Sequence, residues 1–214
     1  VNVAVNIIAY NAARFIRRCL DSVLPWVGEV VVGLDDKTDD ETGSILEEYG
    51  IAYQTFRLDG FDTARNGVLS RTKSEWVLSV DTDETIRPDH GAMLAGLAEK
   101  GDREGIDAWV LNTRNWHDLD MANEYKYPYP DPHVRFFRNH GGARWEGRVH
   151  EVIVGVKRRA QAAPVEIQHF NMYYRNVYEW NKVNKFYESL GADPAMDQAP
   201  PPDARDARPD RIEG

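Results

Sequence analysis

Trp76-Val77-Leu78-Ser79-Val80-Asp81-Thr82-Asp83-Glu84 passes from a mostly apolar stretch straight into three acids. Apolar residues in succession, without alternation, suit a strand of a parallel sheet covered on both faces. In open α/β sheets the ligand sits just beyond the carboxyl ends of such strands, which is where Asp81, Asp83 and Glu84 fall. Carboxylates crowded there repel one another unless a cation lies between them, and a hard divalent ion taking oxygen ligands answers that need. A solvated acidic turn is the other reading of the same residues.

Outward from this strand the same alternation recurs. Residues 3–9, 29–34 and 51–56 read as strands, and helices are predicted over 12–24, 40–49 and 61–71. Asn11 is placed to cap the first helix, and Gly50 stands where the second should end. Pro25 follows the first helix, where proline commonly stops one, and Pro88 opens another that runs toward Lys100. This order predicts an α/β fold, a doubly wound, mainly parallel sheet flanked by helices with right-handed crossovers. Past residue 100 the character changes to a smaller mixed β region. Strands are expected over 108–113, 133–138, 149–156 and 165–170, with an aromatic loop from Tyr125 to Pro132 and an amphipathic helix over 174–190. The expectation is one domain over 1–190, divided into a first half (1–100) and a second half (101–190). Residues 191–214, rich in Pro, Ala, Asp and Arg, are too poor in apolar side chains to offset ordering entropy and read as a flexible tail.

The net charge of −9 gives no overall field that attracts polyanions. A local basic patch of Arg135, Arg138, Arg144, Arg148, Arg158 and Arg159 still leaves a nucleic-acid target open. Cys19 is the only cysteine, which removes any disulfide framework and fits a reducing compartment. Flanked by Phe15, Ile16, Leu20 and Val23 at helical spacing, it reads as core filler and not as a nucleophile. No apolar run approaches the ~18–20 residues needed to span a bilayer, and the first residues read as a strand and not a signal segment. A soluble, cytoplasmic protein is expected.

Four polar clusters follow the predicted strands: Ala9-Tyr10-Asn11, Asp35 to Thr42, Phe61 to Asn66, and the acidic turn at Asp81. Parallel strands put their carboxyl ends on one edge, so these clusters should converge on one cleft. Neither a Gly-x-Gly-x-x-Gly nor a Walker-type Gly-Lys-Ser/Thr is present, which disfavours a dinucleotide site or P-loop. A phosphate ligand would then need a metal or basic side chains to meet its charge.

Three of these segments, read together, resemble the family 2 glycosyltransferases, inverting enzymes of the GT-A fold that use nucleotide-sugar donors. They are Asp35-Asp36-Lys37-Thr38-Asp39-Asp40-Glu41-Thr42, Phe61-Asp62-Thr63-Ala64-Arg65-Asn66 and Asp81-Thr82-Asp83-Glu84. Lys37 departs from the glycine usual in the first. The resemblance implies that Ala9, Tyr10 and Asn11 line a nucleotide pocket and that Asp35 accepts a hydrogen bond from the base, uracil for preference. It further implies that Arg65 faces the pyrophosphate and Asn66 the ribose or sugar. Asp81, with Thr82 beside it, would contact ribose or a metal-bound water, and Asp83 would bind Mn2+ or Mg2+ directly. Glu84 would shape the turn or touch the sugar.

The second half carries Trp145-Glu146-Gly147-Arg148-Val149-His150-Glu151, similar to the family's Trp-x-Gly-x-x-His-Glu stretch. An inverting transfer needs one carboxylate to take the acceptor's proton. Glu151 is the first choice, with His150 and Glu146 behind it; a salt-bridged strand residue is the plain alternative. His169 resembles a third metal ligand, or is a hydrogen-bonded core residue. Trp116, Trp145 and the tyrosine loop could wall the acceptor. The implied activity is a metal-dependent inverting transfer from a UDP-sugar to an acceptor hydroxyl, borne by a glycan, lipid-linked sugar, protein or modified nucleobase. A nucleotidyltransferase making sugar nucleotides, or a non-catalytic binding module, competes with it. The loop after the first strand lacks the glycine- and Arg/Lys-rich sequence that the former carries.

Overall fold

The structure is a computed structural model and describes residues 2–125, 129–174 and 177–193. The first half alternates as expected: β1 (Val3–Ala9), α1 (Ile16–Val23), β2 (Glu29–Asp35), α2 (Thr42–Glu48), β3 (Tyr53–Phe56), α3 (Phe61–Leu69) and β4 (Trp76–Ser79). It continues through β5 (Glu84–Ile86) and α4 (Pro88–Glu104) to β6 (Ala108–Trp116), β7 (Glu124–Tyr125) and β8 (Asp131–Arg138). The chain then forms β9 (Arg144–Glu146), β10 (Val152–Val154), β11 (Arg159–His169), α5 (Asn171–Tyr174) and α6 (Val177–Ser189). From residue 194 the expected tail lies outside the described residues, as do 126–128 of the aromatic loop.

One sheet runs in the order β3-β2-β1-β4-β8-β6-β11-β5, with β7 on β6. β3, β2, β1 and β4 are parallel. β8 lies antiparallel between β4 and β6, and β11 joins β6 in parallel, which makes the second half mixed. The sheet order reverses at β1, with β2 on one side and β4 on the other. That is where an open α/β sheet leaves a crevice for its ligand.

Strand pleating decides what covers each face, because successive side chains point opposite ways. Val5, Ile7, Trp76, Leu78 and Phe136 enter the larger core, packed with Ile16, Cys19, Leu20 and Val23 of α1 and Leu94 and Ala98 of α4. Ala4, Val77 and Phe137 turn to the other face, where Leu69, Trp145 and Ile153 meet them. The β9–β10 hairpin therefore docks beside α3 on this second face. Gly101 of α4 marks how tightly the first face closes, since a Cβ there would lie 2.4 Å from Trp76 Cζ2 and 3.0 Å from the Ile106 carbonyl. Gly101→Ala is expected to cost about 1–3 kcal/mol by overpacking, read as a lower midpoint in urea unfolding; an unchanged midpoint would mean that Trp76 can move aside.

Three local expectations are corrected. The first helix begins at Ile16 and not at 12, because Asn11 does not cap it. Asn11 sits at φ 45 and exchanges hydrogen bonds with Asp39 (2.7 and 2.9 Å), while Thr42 Oγ1 and Asp40 Oδ2 take the Ala12 and Ala13 N–H groups. The strand expected over 149–156 is instead half of the β9–β10 hairpin, with Glu146 opposite Val152. Its turn bends at Gly147 (φ 112) and His150 (φ 55). The alternative of a solvated acidic turn fails at Glu84, which is buried and opens β5, a strand missing from the sequence reading because it is only three residues long. The helix expected over 174–190 corresponds to α6, with α5 before it. No helix among the described residues is long and apolar enough to cross a membrane.

Candidate active site

Strand ends and the hairpin turn enclose a cavity of about 640 Å3, lined by Ala9, Tyr10, Asp35, Arg65, Asp81, Thr82, Asp83, His150, Glu151 and His169. The convergence of the four clusters is thus realised in part. Asp35, at the end of β2, is 4% exposed, and its carboxylate accepts the Lys37 and Leu58 N–H groups, each at 2.8 Å. Asn11, Asn66 and Glu146 are not in the lining. The Asn66 amide is spent on the Trp145 backbone, donating to its carbonyl (2.9 Å) and accepting from its N–H (2.8 Å), so it straps the hairpin to α3. Glu146 pairs with Arg144 on the exposed side of the hairpin. Trp116 donates to Gln168 Oε1 (2.8 Å) and stands outside the lining, whereas Trp145 belongs to it.

Arg65 is the hub. Placed in the second turn of α3, its buried guanidinium donates to Asp81 Oδ1 (2.6 Å), Glu151 Oε1 (2.5 Å) and Ser79 Oγ (2.8 Å), with Trp145 5.2 Å from its centre. Arg135 completes the arrangement, reaching Asp81 Oδ2 (3.2 Å) and Glu84 Oε1 (3.4 Å). The sequence reading assigned Arg135 to a basic surface patch and missed this role. Pairing of Leu78 with Phe136 in the β4–β8 ladder carries Arg135 to the carboxyl end of β4. Ion pairs take up Arg135, Arg138 and Arg144, while a bond to a backbone carbonyl leaves the charge of the other three in place. Arg138 pairs with Asp102 (3.2 Å), and Arg148, Arg158 and Arg159 donate to the carbonyls of Asp59, Glu104 and Ile153.

These contacts set the ionisation of the acidic turn. Burial acts to raise the Asp81 pKa, but Arg65 and Arg135 outweigh it and hold the carboxyl well below the usual range. Glu84 goes the other way: burial, reinforced by Asp81, raises its pKa against the pull of Arg135. Its Oε2 accepts the Asp81 N–H at 2.8 Å, which gives this acid its job: it fixes the turn from behind. Burial lowers the Arg135 pKa, yet Glu84 and Asp81 more than reverse this and raise it above its ordinary value. The Cys19 thiol is pushed well above its normal range by burial and then by Glu84, Asp83 and Asp81, which suits packing and not nucleophilic attack.

Sheet register brings the last pair together. His169 lies opposite Glu84 in the β5–β11 ladder, and Phe170 N–H extends the contact to the Asp83 carbonyl at 3.0 Å. His169 Nε2 thereby stands 3.6 Å from Asp83 Oδ2, while its Nδ1 meets Asn115 Oδ1 at 2.8 Å. Donation from Nδ1 to that carbonyl oxygen turns the basic Nε2 toward Asp83, the orientation a metal-binding imidazole takes. The buried Asn171 Oδ1, which has no hydrogen-bond partner among the described residues, belongs to a residue of the same lining. The carboxylate and imidazole of this pair are donors that suit a divalent cation, with the Asn171 amide oxygen on the same lining. Among the described residues no group of three or more His, Cys, Asp and Glu gathers as a closed metal cage, so the remaining positions would fall to ligand oxygens. Asp81, expected as a further ligand, has both oxygens engaged by arginines.

Residues 4–180 match a family model described as Glycosyl transferase family 2. The chain is 30% identical over 150 residues to the SPbeta prophage-derived glycosyltransferase SunS of Bacillus subtilis (strain 168), covering 68% of this chain and 33% of that protein. It is 33% identical over 113 residues to the succinoglycan biosynthesis protein ExoO of Rhizobium meliloti (strain 1021), covering 49% of this chain and 31% of that protein. The chain spans about a third of the length of these curated relatives. The crystal structure of S. aureus TarS aligns with a TM-score of 0.62 at 16% identity, over 92% of this chain and 41% of that one. TarS 1-349 in complex with UDP gives 0.60, again at 16% identity, over 92% and 68%. The likeness to TarS is one of fold, and the fold is GT-A-like.

Proposed function

The chain belongs to glycosyl transferase family 2, and from that premise we propose that it moves a sugar, with inversion, from a UDP-sugar to an acceptor hydroxyl, using Mn2+ or Mg2+. One observation carries the reading: the Asp83–His169 pair and Glu151 line a single cavity, with Arg65 tying Glu151 to Asp81. TarS, alike in fold, has been solved with UDP and with UDP-GlcNAc, which makes uridine donors the first to test.

In this reading Asp35, Ala9 and Tyr10 receive the nucleoside, at the carboxyl ends of β2 and β1. Asp83 and His169 would hold the cation, and Asn115 keeps the imidazole Nε2 turned toward Asp83. The bound cation would neutralise charge gathering on the departing diphosphate. Asp81, held ionised by its two arginines, faces the donor without needing that cation itself. Glu151 takes the acceptor's proton, and Arg65 holds it within reach of the reaction centre.

The test is consumption of UDP-glucose, UDP-galactose and UDP-GlcNAc by the purified protein with and without Mn2+. Metal-dependent release of UDP is expected. Pyrophosphate-dependent formation of UTP would instead identify a nucleotidyltransferase, and donor binding without any turnover a binding module. Glu151→Gln should lower kcat by about 10^2–10^4 with little change in donor KM, as loss of a general base does; an unaltered kcat would remove Glu151 from the mechanism.

A further inference from the structure

We propose that the acceptor is an uncharged hydroxyl compound carried on an apolar or aromatic body, seated on a wall made by Val152, Phe61, Phe186 and Tyr187. The inference rests on the transferase reading above and adds the substrate class to it. Among the exposed large apolar side chains, Val152 and Phe186 line this cavity at 58% and 38% exposure, besides Tyr10, which the reading above gives to the nucleoside. Isolated exposed apolar residues are ordinary, but several gathered around a concave site mark a surface that meets a ligand. Val152 directly follows Glu151, so apolar surface begins beside the group that would take the acceptor's proton.

The wall continues across three elements. The Tyr187 ring stands edge-on to Phe61 at 5.6 Å and to His150 at 6.2 Å, and Phe186 meets Phe61 at 6.2 Å. α6 is thus seated by its aromatic rings against the start of α3 and against the residue preceding Glu151. Charge points the same way. Of the arginines in the lining, Arg65 and Arg135 are engaged by carboxylates and Arg159 donates to a backbone carbonyl, while Asp35, Asp81, Asp83 and Glu151 supply four acids. The four acids and three arginines of the lining leave no excess of positive charge to draw an anionic acceptor, whereas a neutral acceptor with an apolar face can cover the exposed wall.

The experiment compares phenyl β-glucoside, free glucose and glycerol phosphate as acceptors, with release of UDP in the absence of acceptor measured in parallel. Phenyl glucoside is expected to give a kcat/KM about tenfold above glucose, the gain from covering roughly 50–60 Å2 of apolar surface, and glycerol phosphate to be the poorest. Val152→Ser and Phe186→Ser should each raise the KM for phenyl glucoside several-fold, while a rise confined to the donor KM would assign the wall to the donor and overturn the inference. Equal use of phenyl glucoside and glucose, or a preference for glycerol phosphate, would overturn it as well. Failure of the transferase reading is seen separately, as no UDP release from any donor. In that event thermal stabilisation decides, since bound ligand adds stability by mass action. Phenyl glucoside must then stabilise wild type more than glucose does, and lose that advantage in Val152→Ser; otherwise the inference falls.

Discussion

Asp83→Ala is expected to lower metal-dependent consumption of a UDP-sugar by about a thousandfold, the scale of removing an electrostatic element that meets charge developing in the transition state. The substitution removes a carboxylate that is 7% exposed and faces His169, but it keeps the Asp83 carbonyl that accepts the Phe170 N–H, so the β5–β11 register should survive. Deleting one of three neighbouring acids also relieves repulsion, and the protein should be no less stable without metal. Two readouts therefore separate. Activity falls, and the thermal stabilisation that Mn2+ gives the wild type disappears, while circular dichroism and the metal-free midpoint hold. A variant that keeps both its activity and its response to Mn2+ would place the cation elsewhere.

Arg65→Met carries the largest expected loss of stability, about 3–5 kcal/mol at neutral pH, because it leaves buried charges without their partner. Arg65 is 6% exposed in its side chain and pairs with both Asp81 and Glu151, so methionine fills the volume but leaves Glu151 without this partner and Asp81 with Arg135 alone. The pH dependence should change with it. Asp81 has a folded pKa below its unfolded value of about 3.9, so its stabilising share is complete above that value and is lost as pH falls through the folded one. Glu84, raised in the fold, works in the opposite sense: its share is present below about 4.3 and is lost as pH rises through the folded value. Acidification below about pH 4 should begin to cost the wild type the Asp81 share, a loss that continues down to the folded pKa and is partly offset by Glu84. In Arg65→Met that cost should shrink, because the first of the two arginines holding Asp81 ionised is gone. Urea unfolding at several pH values checks it, and parallel pH slopes in the two proteins would refute the role of Arg65.

The charged residues beyond the strands were legible, because strand ends in a parallel sheet share an edge and Asp35, Asp81 and Asp83 sit at such ends, with Arg65 on the helix after β3, whereas Val152, Phe186 and Tyr187 were not. Asn11 and Asn66 stand in the same motifs but serve the framework, one tying the loop after β1 to Asp39 and the other strapping the hairpin to α3. Nothing in local spacing separates an amide that meets a ligand from one that meets a backbone carbonyl. Arg135 was hidden for a related reason: in a list of arginines it resembles its neighbours, and only the β4–β8 pairing buries it against Asp81 and Glu84.

The sequence by itself determined the alternation of strands and helices, the parallel half of the sheet, the acidic strand end and the family to which the chain belongs. Each of these is written in periodicity and short motifs, which are properties of neighbours along the chain. The tertiary structure alone decided that Arg65 binds Glu151 as well as Asp81, that His169 faces Asp83 with Asn115 behind it, and that Glu84 supports the turn instead of facing the ligand. Those partnerships follow from the register of β11 on β5 and β6 and from the docking of the β9–β10 hairpin on the second face of the sheet. Register and docking are set by packing summed over residues far apart in the chain, and no single segment carries that sum.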